Sequence, residues 1–213
     1  MAGLESPLSH GHGPAIQPTP CGAARLAPRK QKQQGAPSGP VPPPPPPGRY
    51  TAEFLAEPRE SPWGTNQRHQ KEGLEFNAEQ YEEIANYCKS KGVLWSASAW
   101  DVESQEFLRQ FDLQFNKIAS PMLVDTNLLK MGADEKKQTY ISTGMSTLSD
   151  IDRAVSIFRE RGCPFELMHC VSVYPLQAKD ANLMCIPKLR DYFKVPVGYS
   201  GHESGLALSV GAV

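Results

Sequence analysis

The sequence predicts an α/β fold built on a parallel sheet, and three observations lead to that prediction. Short apolar stretches of the length of a buried strand begin near residues 93, 115, 138, 165 and 195. One helical segment separates each stretch from the next, and each stretch ends in polar or turn-forming residues. Strands separated by single helices run parallel with right-handed crossovers, so the sheet is either open and doubly wound or closed as a barrel.

The proline content divides the chain of 213 residues into parts. Of its 20 prolines, 13 lie in residues 1–48, which include the unbroken run 42–47 and a single acidic residue, Glu5. Such a segment buries too little apolar surface to offset its ordering entropy, so we predict a disordered tail with polyproline II at the run. Residues 49–76 are polar and predict a long irregular loop, and residues 77–213 predict the folded domain.

Charge, hydropathy and cysteine content exclude several classes of protein. A net charge of -1 indicates no attraction to nucleic acid or to a membrane surface. No apolar run approaches the roughly 20 residues of a membrane span, and the N-terminus lacks the apolar core of a secretory signal. The five cysteines contain no Cys-x-x-Cys pair and predict free thiols. We therefore expect a cytoplasmic protein.

The first helix is predicted over residues 77–92. Asn77 is an N-cap residue, and Gln80 three positions later completes a capping box. Gly92 supplies the stop. The helix places four apolar residues on one face, at Tyr81, Ile84, Ala85 and Cys88.

Two β-α units follow this helix. The apolar residues 93–98 predict a strand that ends in two hydroxyls, and Asp101 is placed to cap the next helix. Residues 115–120 predict a second strand. A short helix containing Leu128 and Leu129 follows it.

The third strand is predicted over residues 138–142. Thr147 and Asp150 then cap an amphipathic helix that Gly162 ends. Its apolar face consists of Ile151, Ala154, Val155 and Phe158.

The last two strands are predicted over residues 165–171 and 195–199. Between them we place a short helix with Pro187 at its first position, where the missing N–H does no harm, ending at Phe193. A final helix is predicted over residues 204–213.

Polar side chains follow every predicted strand. Ligands bind at the carboxyl ends of parallel strands both in barrels and in open sheets. Hydroxyl donors around one ammonium suit a compact anion such as phosphate, and an imidazole can bind a metal or carry a proton. The strand-end residues are Ser96 and Ser98, Lys117 and Ser120, Ser142, Ser172 and Tyr174, and Ser200 and His202. By contrast, His169 and Cys170 lie within a strand and are expected in the core.

Four of these stretches together resemble the sialic acid synthase family, which comprises N-acetylneuraminate synthases and their legionaminic, pseudaminic and spore-coat relatives. The resemblance covers roughly residues 63–213. The stretches are Lys-Ile-Ala-Ser at 117–120, Ile-Ser-Thr-Gly-Met at 141–145, His-Cys at 169–170 with Tyr-Pro at 174–175, and Tyr-Ser-Gly-His-Glu at 199–203.

The resemblance implies a (β/α)8 TIM barrel, of which the predicted strands would be the third to the seventh. It implies condensation of phosphoenolpyruvate with an N-acetylmannosamine-type sugar to give a nine-carbon 2-keto acid. It also implies a divalent metal, Mn2+ or Mg2+, as Lewis acid. Tyr174 would face the sugar and His202 would bind the metal. The residues implied for phosphoenolpyruvate are Lys117, Ser120, Ser142, Ser172 and Ser200, joined by Ser98 or its neighbour Ser96.

The chain also departs from the family pattern. Many relatives carry an acidic residue where this chain has Met122, and some carry Asn at the position of Ser172. The family's opening strand, with its acid/base glutamate, has no counterpart, so we assign no catalytic residue. The second metal-binding histidine and the C-terminal domain through which family members form homodimers are also absent. We therefore expect an incomplete barrel, a fragment of the family's catalytic unit.

Two other functions remain open at this point. Lys117 could be the Schiff-base lysine of an aldolase, which borohydride trapping would detect. Alternatively, the chain is a non-catalytic interaction protein whose prolines 42–47 dock into an SH3 or WW-type groove.

Overall fold

The structure, a computed structural model, describes residues 51–212, so the predicted disordered tail and its proline run lie outside the described residues. The strands are β1 (Pro58–Ser61), β2 (Gly64–Asn66), β3 (Phe115–Ile118), β4 (Gln138–Ser142), β5 (Phe165–Cys170) and β6 (Val197–Ser200). The helices are α1 (Ala52–Ala56), α2 (Gln67–Leu74), α3 (Ala78–Lys91), α4 (Val102–Leu108), α5 (Thr126–Asp134), α6 (Leu148–Glu160), α7 (Cys185–Phe193) and α8 (Ala207–Gly211).

Four strands form one parallel sheet in the order β3-β4-β5-β6. Each strand is followed by a helix, α5, α6, α7 and α8 in turn, so the prediction of an α/β fold with a parallel sheet is confirmed. Because all three strand pairs are parallel, the carboxyl ends of the four strands lie at the same end of the sheet.

The main core lies on one face of this sheet. Ile118, Ile141, Leu167 and Val197 stand opposite one another in the strand register, and all four are buried. They pack with residues of α6 and α7, including Ala154, Val155, Phe158, Ile186 and Phe193. Side chains alternate along a strand, so the neighbours of this row, Lys117 and Ser142 among them, belong to the opposite face.

A second apolar cluster joins α3, α4 and α5. Tyr81 of α3 packs against its buried residues, with its ring 5.3 Å from that of Phe107 and 5.7 Å from that of Phe111. The sequence predicted α3 correctly: the Asn77–Gln80 capping box is present, and Gly92 ends the helix in the left-handed conformation.

The strand predicted at residues 93–98 is wrong, because that segment makes no strand ladder. The N–H of Val93 bonds to the carbonyl of Cys88 at 3.0 Å and so belongs to the turn that closes α3. The segment is attached to β3 by a side chain, since Ser96 Oγ donates to the carbonyl of Phe115 at 2.9 Å. Its apolar residues were mistaken for a strand because Trp95 packs into the aromatic cluster and not onto the sheet.

The segment predicted as an irregular loop, residues 49–76, contains two short helices and the β1-β2 hairpin. Local signals for the helices were present, since the side chain of Thr51 accepts from the amide of Phe54 and that of Asn66 accepts from the amide of His69. The hairpin depends on a close approach in which the ring of Trp63 occupies the space beside Gly73. Such a contact cannot be inferred from polar composition.

The remaining differences concern the ends of elements. Pro187 is the third residue of α7 and not the first, which is tolerated because the first turn of a helix has no internal acceptor for its N–H groups. β6 begins at Val197, and the last helix spans only Ala207–Gly211. Residues 51–212 contain no helix long and apolar enough to cross a membrane, and the four cysteines among them are free thiols.

Candidate active site at the carboxyl ends of the strands

The ammonium of Lys117 lies against the hydroxyl of Ser142. Lys117 is on β3 and Ser142 is the last residue of β4, and Nζ donates to Oγ at 2.6 Å. The contact follows from the register, which places Lys117 opposite Tyr140 and therefore two residues short of Ser142 on the same face. Ser142 is buried and Lys117 half-buried, so the ammonium is partly shielded from solvent.

Three strand ends meet around Gly144, two residues beyond β4. Its amide donates to Ser120 Oγ, in the turn after β3, at 3.0 Å. A Cβ on Gly144 would lie 2.8 Å from Ser120 Oγ and 3.1 Å from Cys170 Sγ, and it would collide with Ser172 Oγ. Only a glycine lets the backbone come this close to all three side chains.

The hydroxyl of Ser172 lacks a partner. Within residues 51–212, Ser172 Oγ is the buried side-chain nitrogen or oxygen that makes no hydrogen bond. A buried polar group left unpaired is costly, so such groups call for an explanation, and a missing ligand is one. The neighbouring Ser120 Oγ accepts from Gly144, which leaves its own hydrogen to donate elsewhere.

His202 is held between the loops that follow β5 and β6. Its Nδ1 lies 2.9 Å from the carbonyl of Val171, and its ring stacks on Tyr174 with the centroids 4.1 Å apart. A carbonyl can only accept, so Nδ1 carries a proton, and in the neutral ring Nε2 then carries the lone pair. This tautomer suits Nε2 to a metal or to a proton on a ligand.

The structure places the predicted site residues in three contact groups: Lys117 with Ser142, Ser120 and Ser172 around Gly144, and Tyr174 with His202. Ser200 stands opposite Cys170 in the register of β5 and β6, which places it on the strand next to the Gly144 cluster. Ser98 is exposed, and none of the contacts described for residues 51–212 joins it to the others. Its alternative, Ser96, is already bonded to Phe115. His169 and Cys170 are buried, as expected, and His169 Nε2 lies 2.8 Å from the carbonyl of Ala181.

Sequence reasoning missed two residues of the site. Gly144 lies in the quoted Ser-Thr-Gly-Met stretch but received no role, and Cys170 was placed only in the core. A glycine in the turn directly after a predicted strand was the available signal for the first. Met122, which replaces an acidic residue of many relatives, packs against both apolar clusters and so behaves as a core residue.

A divalent metal fits the described residues only in part. His202 Nε2 can supply one ligand, whereas Mg2+ and Mn2+ require about six, mainly oxygens. Residues 51–212 hold no group of three or more His, Cys, Asp or Glu side chains placed to bind an ion.

Comparison with known proteins supports one family. The model of the NeuB family matches residues 50–213. The N-acetylneuraminate-9-phosphate synthase of Drosophila melanogaster is 42% identical over 153 residues, which are 71% of this chain and 41% of that protein. The human protein of the same name is 31% identical over 188 residues, 87% of this chain and 52% of that protein.

A solved structure agrees with these sequence matches. The N-acetylneuraminic acid (sialic acid) synthetase of Leptospira borgpetersenii superposes with a TM-score of 0.63 at 34% identity, over 65% of this chain and 48% of that one. The chain thus spans about half the length of the relatives it matches. Since the family model covers more than half of the chain, this protein belongs to the NeuB family.

Proposed function

We propose that this chain carries the phosphoenolpyruvate-binding part of a sialic-acid-type synthase. The overall reaction joins phosphoenolpyruvate, an N-acetylmannosamine-type sugar and water, and yields a nine-carbon 2-keto acid and inorganic phosphate. Membership of the NeuB family supports the reaction class. The observation that carries the assignment to these residues is the buried, unpaired hydroxyl of Ser172 beside Gly144 and Ser120.

The phosphate would be bound by one charge and several hydroxyl donors. Lys117 supplies the ammonium, already oriented by its bond to Ser142. Ser120 and Ser172 each have a hydroxyl hydrogen to donate toward the Gly144 turn. Charge-assisted hydrogen bonds in a partly desolvated site are stronger than those in water, which favours a phosphate over a neutral ligand. Ser200 and Ser98 complete the proposed set.

The sugar would lie next to the loops that carry Tyr174 and His202. Tyr174 is 67% exposed although its ring stacks on His202, so a ligand can reach this side chain. In the reaction, C3 of phosphoenolpyruvate attacks the aldehyde carbon of the open-chain sugar. Water then adds at C2, and the C–O bond to phosphate is lost in forming the keto group. We propose Mn2+ or Mg2+ as cofactor, with His202 as one ligand.

The identity of the sugar is proposed from the relatives. The fly, mouse and human proteins are named N-acetylneuraminate-9-phosphate synthases and are 42%, 32% and 31% identical to this chain. A terminally phosphorylated N-acetylmannosamine is therefore the first substrate to test, with the unphosphorylated sugar beside it. The homodimer and the SH3 or WW-type partner stay predictions.

Phosphoenolpyruvate binding by the whole 213-residue protein tests the proposal. Isothermal titration should show binding by the wild type and a loss of at least ten-fold in affinity for Lys117→Ala. Lys130→Ala is the matched control, because Lys130 is exposed on α5. A wild type that binds inorganic phosphate and phosphoenolpyruvate no better than chloride would contradict the proposal. Borohydride trapping of Lys117 with a carbonyl substrate would favour the aldolase instead.

A further inference from the structure

The turn after β6 is wrapped around the side chain of Glu203. The hydroxyl of Tyr199 donates to Oε2 of Glu203 at 3.0 Å, and the hydroxyl of Ser209, on α8, donates to Oε1 at 2.9 Å. One carboxylate therefore connects the end of the strand, the turn and the following helix. We call residues 199–203, which are the last two residues of β6 and the three that follow, the Glu203 turn.

Gly201 allows the Glu203 turn to close. A Cβ at this position would collide with Oε2 of Glu203 and would lie 2.7 Å from Cε1 of Tyr199. The backbone of Gly201 thus packs directly over the carboxylate and the tyrosine ring. The arrangement requires both the glycine and the acid, because without the acid nothing described in the turn holds Tyr199 and Ser209 together.

Backbone contacts fix the far side of the same turn. Glu203 forms a parallel bridge with Leu176, and the amide of Leu176 donates to the carbonyl of His202 at 3.0 Å. The carbonyl of His202 is thus held by Leu176, and its Nδ1 is held by the carbonyl of Val171. The direction of its imidazole is therefore set by the turn as a whole.

The electrostatics of the turn agree with a persistent carboxylate–hydroxyl bond. Desolvation, the hydrogen bond to Glu203 and its negative charge raise the pKa of Tyr199 to about 12. Desolvation pushes the pKa of Glu203 upward, but the backbone amides and the hydroxyls of Ser209 and Tyr199 outweigh it and lower that pKa. Near neutral pH the tyrosine is the donor and the glutamate the acceptor.

We propose that Glu203 is a positioning residue, which holds His202 in a single orientation and tautomer by binding Tyr199 and Ser209 across the turn. It touches neither a ligand nor a reacting atom; it acts through His202. This inference rests on the proposed function in one respect only: the proposed function explains why His202 must present Nε2 to a metal or ligand. Partners that orient a ligating histidine typically contribute ten-fold to hundred-fold in metal affinity.

The test examines the ring nitrogens of His202 in the 213-residue chain by 15N NMR, at an alkaline pH where a free imidazole is neutral. His202→Asn assigns the signals among the five histidines. In the wild type we expect one set of signals with Nδ1 protonated and Nε2 not. In Glu203→Ala both nitrogens should shift toward the average of the two tautomers. Glu203→Gln, which keeps one acceptor oxygen, should lie between them.

The control is Glu160→Ala, because Glu160 is an exposed acid at the end of α6 and has no bond to the turn. It should leave the His202 signals unchanged. If Glu203→Ala does not fold, Tyr199→Phe and Ser209→Ala each remove one of the two bonds and should produce partial averaging.

The outcomes separate this inference from the proposed function. Unchanged His202 signals in Glu203→Ala, or mixed tautomers already in the wild type, would overturn the positioning role and leave phosphoenolpyruvate binding untouched. If the His202 signals are averaged in Glu203→Ala but the wild type binds no phosphoenolpyruvate, the positioning role is supported and the proposed function is rejected.

Discussion

The amide of Gly144 donates a hydrogen bond to the hydroxyl oxygen of Ser120, a residue 24 positions earlier in the chain. This bond ties the loop after β4 to the turn after β3, and it determines which way the Ser120 hydroxyl can donate. The same glycine leaves room for the hydroxyl of Ser172. One backbone position therefore controls two of the proposed phosphate donors.

Gly144→Ala should abolish phosphoenolpyruvate binding and lower the free energy of unfolding by about 1–3 kcal/mol, the usual cost of overpacking. The added methyl would collide with Ser172 Oγ and press on Ser120 Oγ. Titration calorimetry and thermal unfolding measure the two effects. Gly132→Ala is the control. Gly132 lies in α5, and a Cβ there would lie 3.8 Å from its nearest neighbour, Cδ1 of Ile118, which is an ordinary contact. Tight binding by Gly144→Ala would exclude this turn from the site.

Ser172→Ala should change stability and binding in opposite directions. The hydroxyl is buried without a partner, so its removal should leave the free energy of unfolding unchanged or raise it by up to about 1 kcal/mol, while phosphoenolpyruvate binds more weakly. Ser96→Ala is the comparison, since that hydroxyl is bonded to Phe115 and its loss should cost about 1 kcal/mol. A Ser172→Ala protein that is less stable and binds normally would contradict the interpretation.

Glu135 should make the stability depend on pH. Its carboxylate is nearly buried and accepts from Gln105, Asn116 and Arg109, with Lys137 3.3 Å away. Desolvation raises its pKa, but these hydrogen bonds and the charge of Lys137 outweigh it, so the pKa of Glu135 is lowered. A lowered folded-state pKa contributes stability above the unfolded value of about 4.3, and that stability is lost as pH falls through the folded value.

The melting temperature should therefore fall between about pH 5 and pH 3 in the wild type and fall less steeply in Glu135→Gln. At neutral pH the variant should be less stable by roughly 1–3 kcal/mol, because hydrogen bonds to a charged acceptor are weakened. Glu160→Ala serves as the exposed control. Equal slopes for the wild type and Glu135→Gln would show that this carboxylate does not set the acid response.

Thr147→Ala should destabilise the protein by about 1 kcal/mol through loss of the α6 cap. The hydroxyl of Thr147 accepts from the amide of Asp150, and the Asp150 carboxylate accepts from the Thr147 amide. Ser149→Ala, at the exposed second residue of α6, should have little effect. Denaturant unfolding measures both, and a Thr147→Ala protein as stable as the wild type would mean that α6 is held by its apolar face alone.

Some elements could be predicted because their signals are local. The capping boxes at Asn77 and Thr147 lie within four residues of their helices, and the apolar stretch 138–142 became β4 with the predicted bounds. The strand prediction for residues 93–98 was wrong because the same apolar pattern occurs in a segment that packs a ring against a helix, as Trp95 does. Only the neighbour distinguishes the two, and the neighbour is not a local signal.

The residues by themselves determined the parallel β-α order, the family resemblance and the chemical types at the strand ends. Only the tertiary structure decided that Lys117 is bonded to Ser142, that Ser172 is buried without a partner, and that His202 is bonded to the carbonyl of Val171. The physical reason is range. Caps and periodicity act over one or two helical turns, whereas hydrogen-bond partners at a strand edge are brought together by register although they lie 24 or more positions apart in the chain.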